Sequence, residues 1–320
     1  MSLNSFLKLV EIQTKAASMI PFSLGSLYAL YRFQQFNGKN FLLMFISLLA
    51  FDMVTTAINN YMDYKKAIKT YGFNYESHNA IVKYKLKEST VIGVIGILLA
   101  IAVIMGFLLY LNTNIVVLLL GVVSFMVGIL YSFGPVPISR MPLGEIFSGL
   151  FMGFVIVFVS TYIHIYDQNI ITLFYSNGML RLEMNIIELV YLFLISVPAI
   201  MGIANIMLAN NICDIEDDME NKRYTLPIYI GKEKALKLFK ALYYITYIDI
   251  LLLLVVGVEP VISLLMLLTL MPVRKNLKIF DETQTKKDTF ALSVKNFILI
   301  NVSRIFAIGT ALLINFFLVH

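Results

Sequence analysis

Apolar runs of about 20 residues, the length needed to cross a bilayer core, recur along this chain and constrain it more than any other feature. The stretch Val91–Leu111 carries no charged residue at all. In hydrocarbon each backbone N–H and C=O must be paired within its own segment, so runs of this kind fold as helices. Composition agrees: 59% of the residues are apolar and 14% charged, where soluble domains run nearer half and a quarter. The expected fold is all-α, a polytopic membrane helical bundle of about nine transmembrane helices. The spans are expected near 17–36, 40–63, 89–111, 114–133, 143–165, 189–212, 236–256, 258–273 and 291–318. The eighth is short and lies between Pro260 and Pro272, so a tilted, interfacial or re-entrant path is expected there. No low-complexity tract or linker divides the chain, and 1–320 reads as one transmembrane domain.

Loop charges set the orientation. The N-terminus and the segments flanking the gaps after spans two, four, six and eight hold 21 of the 25 Lys and Arg. The positive-inside rule then puts the N-terminus on the cytoplasmic side of the cell membrane and His320 outside. The first 20 residues do not read as a cleaved signal peptide. In a soluble chain the net charge of +5 would suggest nucleic acid; here topology accounts for it, and no nucleic-acid partner is expected. Most of the loop lysines, Lys69, Lys83, Lys85 and Lys87 among them, fit a topology signal and attraction to anionic lipid. The pattern Lys232–Lys240 is amphipathic and suited to lying on the membrane surface. Cys213 is the sole cysteine, which excludes an intrachain disulfide.

Two polar stretches stand out because each ends an apolar run on the lysine-rich side. The first is Asn59-Asn60-Tyr61-Met62-Asp63, closing span two; the second runs from Asn210-Asn211 to Asp217-Asp218, closing span six. Asp52, Thr56, Asn59 and Asp63 follow helical spacing and form one inward stripe. So do Asn210, Asp214 and Asp217, and likewise Asn211, Asp214 and Asp218. Either cluster alone is an ordinary helix end reaching water. The pair favours a shared site in which carboxylate and amide oxygens hold Mg²⁺, a hard cation that shares its shell with phosphate oxygens. Lys65, Lys66, Lys222 and Arg223 flank these motifs, where a phosphate-bearing substrate needs cations.

Between the motifs lies Tyr131-Ser132-Phe133-Gly134-Pro135-Val136-Pro137-Ile138-Ser139-Arg140, held out of helix by its prolines and glycine. Tyr131 and Phe133 are candidates to wall an aromatic or cationic intermediate, and Arg140 to reach a phosphate. His164 and Asn205 lie inside spans, and a hydrogen-bonded structural role is expected for His164. Arg304 sits mid-span and needs an acid, for which Asp249 is the expected partner.

Asn59-Asn60-Tyr61-Met62-Asp63 resembles the first motif, usually Asn-Asp-x-x-Asp, of the UbiA superfamily of intramembrane aromatic prenyltransferases. Asn60 stands where the family has an aspartate. Asn210-Asn211 through Asp218, followed by Thr225-Leu226-Pro227, resembles the second motif. The family's Gly-Lys before that run is Lys222-Arg223 here. The Gly-Pro-x-Pro turn and Leu143-Gly144-Glu145 resemble the branch that prenylates 1,4-dihydroxy-2-naphthoate in menaquinone synthesis.

This resemblance implies Mg²⁺-dependent transfer of a polyprenyl group from polyprenyl diphosphate to an aromatic acceptor. Mg²⁺ held by Asp63, Asp214 and Asp218 would stabilise the diphosphate leaving group, with Asn59, Asn60, Asn211 and Asp217 as further or water-mediated ligands. Lys66, Arg140, Lys222 and Arg223 are the expected diphosphate contacts, and Tyr61 and Tyr131 the expected walls of the acceptor pocket. The isoprenoid tail is expected to run between helices toward membrane lipid. Other acceptors (4-hydroxybenzoate, homogentisate or a porphyrin) bind the same diphosphate machinery and stay open. A cation-coupled transporter is the rival of another class, but its acids would be spread along a pore.

Overall fold

The computed structural model describes residues 1–67, 79–132 and 137–319. Lys69, Phe133 and the Gly134-Pro135 part of the central turn lie outside the described residues. The chain opens with α1 (Leu3–Leu9) and a short 3₁₀ turn (Ile12–Lys15), then α2 (Ala16–Phe33), α3 (Gly38–Lys66) and α4 (Ala80–Lys83). Next come α5 (Glu88–Leu111), α6 (Ile115–Ser132), a 3₁₀ turn (Ile138–Arg140) and α7 (Gly144–Ser148), which continues through a π-helical stretch (Gly149–Val155) into α8 (Ile156–Ile165). A hairpin, β1 (Ile171–Ser176) and β2 (Met179–Met184), leads to α9 (Ile186–Cys213), α10 (Ile215–Glu220) and α11 (Leu226–Ile230). The chain closes with α12 (Lys232–Val255), a 3₁₀ stretch (Val261–Thr269), α13 (Leu270–Glu282) and α14 (Ala291–Val319).

Helix occupies each of the nine stretches in which a span is expected. Among the described residues, six helices are long and apolar enough to cross a membrane: α3, α5, Gly144–Ile165, α9, α12 and α14. α6 is apolar but shorter. On α5 only 11% of the most apolar window is buried in the protein, so Ile97, Ile104 and Phe107 face outward and need lipid. This is an integral membrane protein.

Polar residues at the span ends fix where helices start. Asn37 caps α3 by accepting from Asn40 N–H at 3.0 Å, and Asn185 caps α9 by accepting from Glu188 N–H at 3.2 Å. The Asn37 N–H donates to His164 Nδ1 at 2.9 Å, and Asn40 Nδ2 donates to the Ile163 carbonyl at 2.9 Å. These bonds clamp the start of α3 to the end of α8 and give His164 the expected structural role. Packing is closest where side chains are smallest: a Cβ on Gly153 would fall 2.5 Å from Ile200 Cα, so α9 crosses the π-helical stretch backbone to backbone.

Three local expectations change. The hairpin interrupts an otherwise helical chain, and its signal is the Asn177-Gly178 pair with φ values of 51° and 76°, the left-handed pair a two-residue hairpin turn requires. Lys232–Lys240 is not a separate helix but forms the first turns of α12, because no Gly or Pro breaks the helix before Val255. The eighth apolar stretch runs on past Pro272 as α13 to Glu282, since proline in a first helical turn costs no hydrogen bond.

Arg304 is fully buried, and its Nε pairs with Glu259. Asp249, the expected partner, lies further off at 4.0 Å. Glu259 sits in the connection after α12, and the return of the chain over α14 brings it to the guanidinium.

Candidate active site

The first motif ends α3. Asn60 is buried, and its Nδ2 donates to the Leu9 carbonyl at 3.1 Å and to Glu11 Oε1 at 3.3 Å. Its amide nitrogen therefore faces the N-terminal segment and ties α3 to it. This also explains why an amide stands here: a carboxylate has no hydrogen to give these two acceptors. Tyr61 is likewise turned away. Its hydroxyl donates to Glu88 Oε1 at 3.0 Å, and Lys65 pairs with the same carboxylate. Two residues apart on a helix is roughly 200°, so Tyr61 faces α5 while Asp63 faces away from it. Tyr61 is not a wall of the site. Asn59 is half-buried, and Asp63 and Lys66 are exposed.

The inward stripe below Asp63 has a partner that periodicity alone does not reveal. Lys15 is buried and pairs with Asp52 at 2.7 Å while donating to Thr56 Oγ1 at 2.6 Å. Ser18 donates to the other Asp52 oxygen.

In the second motif Asp214 ends α9, and α10 carries Asp217 and Asp218. Asp218 is 3% exposed and accepts from Thr225 Oγ1 at 3.3 Å. Arg223 Nε lies 3.3 Å from its other oxygen. Burial, and then nearby Asp214, push the Asp218 carboxyl up to about 6 against the pull of Arg223, Thr225 and Lys286. A carboxylate held in this way gains most from an added cation.

Lys222 sits at φ 54°, directly after the C-cap of α10. Its N–H reaches the Met219 carbonyl at 3.2 Å and the Arg223 N–H reaches the Asp218 carbonyl at 2.8 Å. This is a Schellman motif with lysine at the position that favours glycine. The glycine missing from the sequence has left its backbone conformation in place, and that turn carries Arg223 back to Asp218.

Arg140 brings the two motifs together. It is half-buried on the 3₁₀ turn, and its carbonyl accepts from Tyr224 N–H at 3.1 Å. Burial and the adjacent Arg223 push its guanidinium below the ordinary value, while Asp63 and Asp218 act in the opposite sense. One side chain therefore feels an acid from each motif. Asp63 and Asp218 lie at the same end of the bundle.

Asn211 is fully buried, and its Nδ2 donates to Glu145 Oε1 at 2.8 Å. The Asn211 Oδ1 is buried with no protein partner. Tyr131 stands between helices with its hydroxyl on Met207 Sδ at 3.2 Å, one turn before Asn211. Asn205 is buried too: its Nδ2 donates to the Phe239 carbonyl at 3.1 Å, and its Oδ1 has no protein partner. Lys286, from the last connection, donates to Asp214 Oδ2 at 2.5 Å and to Asn210 Oδ1.

Among the described residues, buried Lys15, Glu145 and Glu259 and half-buried Lys286 take such places without having been picked out as site partners. Lys15 and Lys286 read as topology charges in the sequence. Their only local signal is a lysine at the edge of an apolar run on the motif-bearing side.

The donor set consists of carboxylate and amide oxygens, with the Asn211 Oδ1 orphaned and Asp218 short of positive charge. That set fits a hard divalent cation.

The model of the UbiA prenyltransferase family matches residues 18–301. A 1,4-dihydroxy-2-naphthoate octaprenyltransferase of Bacillus subtilis (strain 168) is 30% identical over 250 residues, 78% of this chain and 73% of that protein. Among solved structures, a UbiA homolog from Archaeoglobus fulgidus bound to GPP and Mg²⁺ superposes with a TM-score of 0.66 at 16% identity, covering 96% of this chain and 99% of that one. The apo structure of a UbiA homolog from Aeropyrum pernix K1 gives a TM-score of 0.63 at 19% identity over 89% and 96% of the two chains. The family match along nearly the whole chain and the 30% identical relative make this protein a prenyltransferase, a member of the UbiA prenyltransferase family.

Proposed function

We propose that this chain, as one domain over 1–320, transfers a polyprenyl group from polyprenyl diphosphate to 1,4-dihydroxy-2-naphthoate, with Mg²⁺ and on the cytoplasmic side of the cell membrane. The observation that carries the site is the second motif's turn, where Arg223 lies 3.3 Å from the buried Asp218 carboxylate and the Tyr224 N–H donates to the Arg140 carbonyl at 3.1 Å. The acceptor rests on the Bacillus subtilis relative and on the Leu143-Gly144-Glu145 stretch.

Asp63, Asp214 and Asp218 would hold the divalent ions, with Asn59, Asn211 and Asp217 as further ligands. Glu145 fixes the Asn211 amide so that its oxygen is presented and not its nitrogen. Mg²⁺, when bound, supplies positive charge to the departing diphosphate. Arg140, Arg223, Lys66 and Lys222 bind the same diphosphate from the protein side. Tyr131 borders the space in which the allylic carbon meets the electron-rich ring, and the tail leaves between helices toward lipid. Attack at the carboxyl-bearing carbon of the naphthoate forms the new C–C bond and releases CO₂.

Purified protein incubated with labelled polyprenyl diphosphate, Mg²⁺ and a panel of aromatic acceptors tests this directly. Product is expected with the naphthoate, together with diphosphate and CO₂, and none after chelation. Product only with 4-hydroxybenzoate or another acceptor would retain the enzyme class and overturn the acceptor.

A further inference from the structure

Lys286 comes to the second motif from 72 residues further along the chain. Its backbone is held at the tip of a closed turn. The Thr285 N–H donates to Thr289 Oγ1 at 2.9 Å, the Thr289 and Phe290 N–H groups both return to the Thr285 carbonyl, and the Asp288 N–H donates to Thr285 Oγ1 at 3.2 Å. Gln284 closes the preceding helix by donating to the Phe280 carbonyl at 2.6 Å. The ammonium itself lies over the Phe290 ring, 5.2 Å from its centroid. The hydrogen bonds fix the backbone of the turn, and the long side chain reaches from it to the second motif.

The charges explain why an ammonium is needed there. Asp214 and Asp218 lie one helical turn apart with side chains 12% and 4% exposed. Two such carboxylates repel each other and are poorly hydrated. Arg223 serves Asp218, and Lys286 serves Asp214 together with the oxygen of Asn210. Arg223 is anchored by the Schellman turn, whereas Lys286 is tethered only through four methylenes. A lysine is a compact point charge on a flexible stem and leaves without any backbone rearrangement.

We propose that Lys286 is a place-holding cation: it neutralises Asp214 and orders Asn210 while no divalent ion is present, and the ion must displace it to bind. This rests on the metal-binding reading of the motifs given above. It makes Lys286 a positioning residue, one that sets how tightly the second motif takes a metal before any diphosphate arrives.

The test is equilibrium binding of Mn²⁺, an octahedral oxygen-seeking stand-in for Mg²⁺, to the full chain in detergent without diphosphate, read from the loss of the free-ion paramagnetic signal. Lys286→Met removes the competitor, and tighter binding by about tenfold is expected, the scale of one favourable charge contact. Lys286→Arg installs a fork that holds the carboxylate harder, and weaker binding than wild type is expected. The Arg variant keeps the ion pair and reports even where the Met variant does not fold. A second readout uses the unaltered protein: Mn²⁺ should raise the rate at which an amine-reactive reagent acylates Lys286, followed by peptide mass spectrometry. Unchanged Mn²⁺ affinity in both variants, or acylation indifferent to the ion, overturns the exchange and leaves the metal site standing. A wild-type chain that binds no Mn²⁺ through Asp63 and Asp214 overturns the metal site itself, and the exchange with it.

Discussion

Asn211 and Glu145, 66 residues apart, meet at 2.8 Å with both side chains out of reach of solvent. The amide nitrogen is committed to the carboxylate, so the amide has one orientation and its oxygen is the atom left over. Glu145→Leu strips Asn211 of its acceptor and should cost about 1–3 kcal/mol, the penalty for a buried donor left unmade. Glu145→Gln offers an oxygen at the same place and should lose much less. Thermal unfolding in detergent measures both, and equal losses would show that the hydrogen bond is not what Glu145 contributes.

Asn60→Asp restores the acid customary in the family and should nonetheless harm this protein. The new carboxylate would face the Leu9 carbonyl and Glu11, the two acceptors Asn60 now satisfies. A loss of about 1–3 kcal/mol is expected from one broken pair and one repulsive contact. An unchanged or raised unfolding temperature would mean that the N-terminal segment does not depend on this amide.

Asp63→Ala and Asp214→Ala should each abolish Mg²⁺-dependent turnover and leave the fold intact. Asp63 is exposed and Asp214 half-buried, so neither truncation opens a cavity in the core. Prenyl transfer and the size-exclusion profile, measured on the same preparations, check this. Near-normal turnover in either variant would refute the ligand assignment.

Lys222→Gly should move stability and substrate affinity in opposite directions. Relief of the left-handed strain at φ 54° should add about 0.5–1 kcal/mol to stability. Loss of the ammonium should raise KM for the polyprenyl diphosphate and change kcat little. A KM that does not move would remove Lys222 from the diphosphate contacts and leave it a purely structural lysine.

Arg304→Met leaves Glu259 and Asp249 buried without a counter-charge, and a loss of about 3–5 kcal/mol is expected. Glu259→Gln keeps a hydrogen-bond acceptor for the guanidinium and should lose less than that. Denaturation in mixed detergent measures both, and no loss at all for Glu259→Gln would make Asp249 the true partner of Arg304.

The helical path of the chain and the two motifs that close α3 and α9 were legible because they depend on local quantities: the length of an apolar run and the spacing of oxygen ligands. Helical periodicity tells which residues share a face. It does not tell which neighbour that face meets. Asn60 and Tyr61 flank the stripe that ends in Asp63, yet one is claimed by Leu9 and the other by Glu88, and only the packing of α1 and α5 against α3 decides this. Lys15 with Asp52, Lys286 with Asp214 and Arg304 with Glu259 are pairs 37, 72 and 45 residues apart. A charge placed in a low-dielectric interior is stable only beside its opposite, so the sequence by itself determined that Arg304 and the motif acids need partners. Which residues answer that need was decided by the tertiary structure, because the returning chain, and not the local pattern, sets who arrives within hydrogen-bond distance.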